Sequence, residues 1–119
     1  MEDSILTSIK GMLGIDKDCG AFDQEIIVFI NSVFSTLYQI GFNPAKDFRI
    51  ENSESKWADI LDDDSDLIDF IKPYIYMKVR VLFDPPTSSF VLESLNNQAK
   101  ELEWRIQTQS EGGFDIDEI

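Results

Sequence analysis

The sequence predicts an all-α protein: a compact bundle of about four to five helices, with a long C-terminal helix behind a Pro-Pro corner. Three observations predict it. Apolar residues recur at steps of three and four through most of the chain, the period of a helix with one buried face. Gly14, Gly41 and the pair Pro85-Pro86 fall where those patterns stop. Alternation with period two is confined to residues near 46–51, where Phe48 and Ile50 are separated by polar neighbours and permit a short extended segment.

The first helix spans Ser4 to Leu13, with Ile5, Leu6, Ile9, Met12 and Leu13 along one face and Asp3 or Ser4 as its cap. Gly14 supplies a left-handed stop, and Ile15 folds back on Ile9. Gly11 weakens this helix because it adds backbone freedom and no side chain. Asp16 to Ala21 is a polar loop that carries the lone Cys19. The next helix runs from Gln24 to Ile40, with Asp23 suited to the cap and Phe22 and Ile27 spaced as a hydrophobic staple. Its stripe is Ile26, Ile30, Val33, Leu37 and Ile40; Gly41 ends it and Phe42 closes onto Leu37. Asn43-Pro44 marks a turn. Trp57 to Leu61 forms one or two helical turns with Trp57, Ile60 and Leu61 facing inward.

Leu67 to Phe83 is apolar on most sides, which marks a helix central to the core. Ile68, Ile71, Ile75, Val79 and Leu82 form one row, and Lys72, Lys78 and Arg80 reach the rim. Pro73 lacks an N–H, so the helix either kinks there or becomes regular just before it. Asp84-Pro85-Pro86 ends it, because proline forces the preceding residue out of helical geometry. Thr87, Ser88 or Ser89 then caps the last helix, Phe90 to Gln107. Leu92, Leu95, Ala99, Leu102 and Ile106 are spaced as a heptad seam with Trp104 off it, and Glu101 and Arg105 form an (i, i+4) pair. That seam suits the protein's own core or a neighbouring subunit equally well. Residues 1–110 read as one helical domain and 111–119 as a flexible acidic tail, in which Phe114, Ile116 and Ile119 are isolated hydrophobes able to dock a partner on ordering.

Twenty-three acids against ten bases leave a net charge of −13, which repels nucleic-acid phosphates and anionic lipid. With one cysteine and no histidine, the sequence offers neither an internal disulfide nor Ser-His or Cys-His catalysis. The acidic N-terminus does not resemble a signal peptide, and no apolar run is long enough to span a bilayer. These features point to a soluble intracellular protein. Asp62, Asp64 and Asp66 imitate the first ligands of an EF-hand loop, but Leu67 and Pro73 stand where glycine and glutamate are needed. The acids there read instead as a favourable charge at a helix N-terminus. No pair of carboxylates is set apart for acid-base work, and no cofactor motif is present. The aromatic residues lack the interleaved bases of a nucleic-acid stacking platform.

The stretches "ILTSIKGMLGID", "FDQEIIVFINSVFSTLYQIG", "YIYMKVRVLFDPPTSSF" and "ELEWRI" resemble the head-tail connector (adaptor) proteins of tailed phages and prophages, across Ile5 to Ile106. "VRVLFDPPTSSF" is the most specific part. The resemblance implies a small helical structural protein of the virion, made in the host cytoplasm and not an enzyme. It implies a ring of identical subunits, typically twelvefold, mounted on the portal and bridging it to the stopper or tail completion proteins. DNA would pass nearby without specific binding, and no membrane is involved. Phe90, Leu92, Leu95, Leu102, Trp104, Ile106, Phe114 and Ile116 are the interface candidates. The rival reading is a small acidic regulatory protein that mimics DNA, which requires carboxylates converging on one face.

Overall fold

In the computed structural model, residues 4–61 and 67–110 are described. Among them the chain forms four α-helices, α1 (Ile5–Met12), α2 (Asp23–Gln39), α3 (Ile68–Phe83) and α4 (Ser89–Ser110), and two 3₁₀ turns, Asn43–Ala45 and Trp57–Asp59. The fold is all-α. The region near 46–51 joins no ladder among the described residues; the one isolated bridge pairs Ser4 with Lys56.

Local chemistry sets the helix ends. Ser4 starts α1, its Oγ accepting from the Thr7 N–H at 3.2 Å. Gly14, at φ +84°, then reverses the chain: the Gly14 N–H donates to Gly11 O and the Ile15 N–H to Lys10 O, a paired closure that satisfies the last carbonyls. Gly41, at φ +111°, ends α2 in the same way, with its N–H on Tyr38 O and the Phe42 N–H on Leu37 O. A side chain with a Cβ would be strained at either glycine.

The start of α2 departs from expectation. The helix begins at Asp23 itself, preceded by Phe22 with no side-chain cap. The Asp23 carboxylate is drawn away by Lys10, whose Nζ lies 2.8 Å from Asp23 Oδ1. Lys10 is only 2% exposed. A buried ammonium needs its three protons accepted, and the other acceptors are Lys17 O at 3.2 Å and Cys19 O at 2.7 Å. One side chain thus ties α1, the loop after it and α2 together. Phe22 meets Phe83 edge-on at 5.4 Å between ring centres.

α3 is the central helix. It packs on α1, α2 and α4, whereas α4 touches the rest of the molecule chiefly through α3. The core between them includes Ile5, Ile9, Ile26, Ile30, Phe34, Leu37, Ile71, Tyr74 and Ile75, all without solvent exposure. Each such side chain contributes on the order of 2 kcal/mol of hydrophobic free energy. The helix runs through Pro73 without ending. Its apolar row stops short of Leu82, which is half exposed at the last turn before the corner.

The segment after α2 has little regular structure, yet it is fastened to that helix. The Asn31 side chain donates to Ile50 O and accepts from the Ile50 N–H, replacing a strand partner for one residue. Arg49 donates to Ser35 Oγ and Ala45 O, and Phe48 stands edge-on to Phe34 at 5.2 Å. Trp57 is buried beneath Lys72, its indole N–H on Ser8 Oγ at 3.1 Å.

Candidate interaction site

α4 starts where the corner residues allow. Of the three hydroxyl candidates Ser88 supplies the cap, its Oγ accepting from the Val91 N–H at 3.3 Å. The helix continues to Ser110, beyond the Gln107 end that the apolar pattern marks.

The corner turns α4 back along α3. Arg105 stands over Phe70 at 6.0 Å, and Tyr74 Oη donates to Glu103 Oε2 at 2.7 Å. Lys78 Nζ lies 3.9 Å from the same carboxylate oxygen. These contacts pair the late part of α4 with the early part of α3, so the two helices run antiparallel. Burial, then the hydrogen bond to Glu103 and that residue's negative charge, push the Tyr74 phenol well above its ordinary pKa. It stays protonated and donates.

That geometry sorts the interface candidates. Ile106 is fully buried, Ala99 nearly so, and Leu92, Leu95 and Leu102 are half-buried. The late part of the seam, Ala99, Leu102 and Ile106, thus packs into the protein's own core. Of the two seats open to the seam, this part takes the protein's own core. Phe90 and Trp104 are different, at 78% and 64% exposed. They lie fourteen positions apart, with Asn97 midway. At 100° per residue this places all three along one line opposite the seam, spanning about 21 Å. Beside that line Glu93, Ser94, Gln98 and Glu101 border a shallow open depression next to Phe90 and Asn97. Glu101 also takes the side chain of Arg105, as the (i, i+4) spacing anticipates. Leu82 and Val91 add exposed apolar surface near the corner, and Phe22 is 44% exposed against Phe83. Phe114 and Ile116 lie outside the described residues, as do Asp62, Asp64 and Asp66.

Lys10, Asn31 and Glu103 tie elements together without a motif in the sequence that marks them for it. Only Lys10 carried a signal, a cation placed between Ile9 and Met12 on a short apolar helix. The helices leave an outward line on α4, polar along its length and aromatic at both ends. Such a surface suits recognition by contact, since aromatics anchor interfaces while polar neighbours keep the free subunit soluble.

A family model described as phage connector protein matches residues 5–113. No curated protein and no solved structure matches the chain.

Proposed function

The chain belongs to the phage connector family, and we propose that it acts there as a head-tail adaptor, assembling as a ring between the portal and the stopper or tail completion proteins. The single observation that carries this reading is the outward line of α4. Phe90 and Trp104 are exposed on a helix whose other face is already occupied by α3.

In a closed ring each subunit offers one patch to a different patch on its neighbour, because a rotation axis other than a two-fold cannot pair a surface with itself. The α4 line is one such patch. The corner end, with Phe22, Leu82 and Val91 exposed, is a candidate for the other. The net charge of −13 suits a wall beside packaged DNA, since phosphates slide past carboxylates without binding. The protein works by shape and contact in the virion and carries out no bond-breaking chemistry.

Electron microscopy of the full chain mixed with its portal tests the reading. Added density forming a ring on the portal's tail-facing end, with twelvefold symmetry, is the expected outcome. Portals that remain bare at saturating protein would contradict it.

A further inference from the structure

A second surface remains after the α4 line is assigned. Thr7, Gly11 and Met12 of α1, Ile15 and Lys17 of the following loop, and Lys72 of α3 line an open groove of about 520 Å³. Its floor is open at Gly11, where an added Cβ would meet nothing within 4 Å. Its wall is apolar at Met12, which is 43% exposed, and at the half-buried Ile15.

The rim is basic in a protein that is mostly acidic. Lys17 and Lys72 stand at it, and among the described residues neither is in an ion pair. Asp16 and Asp18 flank Lys17 in the loop, and Asp16 Oδ1 is taken by the Asp18 N–H. An occupant should therefore be apolar on one side and anionic on the other.

The chain holds such a segment. In Phe114, Asp115, Ile116 and Asp117, apolar and acidic residues alternate. An extended backbone would put Phe114 and Ile116 on one side and both aspartates on the other.

The groove and the end of α4 both lie by the first turns of α3. Arg105 of α4 lies over Phe70, two positions before Lys72 on α3. From there α4 runs on to Ser110, about 7.5 Å of helix. Residues 111–113 then link Ser110 to Phe114, a span of at most about 14 Å. Gly112-Gly113 gives them freedom to turn.

We propose that residues 114–117 of the same chain dock in the α1 groove, with Phe114 and Ile116 against Met12 and Ile15 and with Asp115 and Asp117 facing Lys17 and Lys72. This contact is independent of the ring and of the portal.

The test uses the isolated full-length protein and backbone amide NMR. Replacing the two hydrophobes, Phe114→Ser with Ile116→Ser, should shift the amides of Gly11, Met12, Ile15, Lys17 and Lys72 while those of α2 stay in place. The shifts should not depend on protein concentration. Reversing the rim, Lys17→Glu with Lys72→Glu, should move the amides of residues 114–117. Adding Asp115→Lys and Asp117→Lys to that variant should restore the docked positions. Both lysines lie outside the buried core, and the α2 signals serve as the control for the fold. Groove amides unchanged by the tail variant, or rim reversal without rescue, would overturn the proposal. Shifts that disappear on dilution would overturn it too, because they would place the tail in the groove of a second copy.

Discussion

α2 and α4 are the two longest helices, and the molecule uses them in opposite ways. α2 has 17 residues, and six of them, Ile26, Ile27, Ile30, Val33, Phe34 and Leu37, are buried. It is held by α1, α3 and the Asn43–Ala45 turn, and its sides are fastened by Lys10, Asn31 and Arg49. α4 has 22 residues, yet among its described side chains only Ala99 and Ile106 are buried, and α3 is its main support. Length on its own says little about commitment to a core. A helix that commits one face to a single neighbour leaves the rest of its surface uncovered. It also keeps a lower cost of local opening than a helix held on several sides.

This contrast can be broken by mutation. Phe34→Ala on α2 removes a fully buried ring that also meets Phe48, and should cost about 4 kcal/mol in chemical denaturation. Ile106→Ala on α4 should cost about 3 kcal/mol, because Ile106 is equally buried. Amide exchange separates the two beyond their sizes. The Ile106 variant should speed exchange along α4 while α2 stays protected. Exchange that rises equally in both helices would show that α4 is as integral to the core as α2.

Tyr74→Phe comes next, at about 1 kcal/mol, since Glu103 is part-exposed and water can replace the lost donor. The same pair gives a pH dependence. An unfolded tyrosine releases its proton near pH 10, whereas the folded phenol is held higher by burial and by Glu103. The unfolded chain therefore binds fewer protons above about pH 10. The contribution of Tyr74 to stability is complete below that pH and falls as pH rises past it. Denaturation midpoints between pH 9 and 11 should fall less steeply in Tyr74→Phe than in the parent. Parallel slopes would mean that the α3–α4 pairing does not control this titration.

The smallest effect on stability belongs to the outward line. Phe90→Ser with Trp104→Ser should change stability by less than about 0.5 kcal/mol, because neither side chain is covered. A larger loss would mean that the line contributes to the monomer's fold and is not reserved for contact.

The parts of this architecture that depend on neighbours in sequence were legible beforehand. Gly14 and Gly41 mark helix stops because a left-handed closure needs only the residue and its immediate context. A hydroxyl cap among Thr87, Ser88 and Ser89 and the Glu101–Arg105 pair are equally local, though Ser88 is selected only by the Val91 N–H that it accepts. Asp23 looks like a cap in the sequence because its partner, Lys10, lies a loop away and nothing local marks that lysine as buried. The Asn31 grip on Ile50 spans 19 positions and leaves no periodic trace. The direction of α4 was undecided for a different reason. Leu92, Leu95, Ala99, Leu102 and Ile106 describe a stripe, and a stripe fits any matching apolar surface. Only the meeting of Glu103 with Tyr74 and of Arg105 with Phe70 selects α3 as its seat. That seat changes how the last helix should be probed. Deleting everything from Phe90 onward would strip Ala99 and Ile106 from the core along with the contact surface, so point variants on the outer line are the cleaner instrument.

The central claim is that α4 holds the fold with one face and binds virion neighbours with the other. It is tested most directly by adding the folded Phe90→Ser, Trp104→Ser protein to purified portals and counting bound subunits per portal by native mass spectrometry beside the parent chain. The account predicts a full complement for the parent and few or none for the variant. A variant that loads portals as completely as the parent would contradict it.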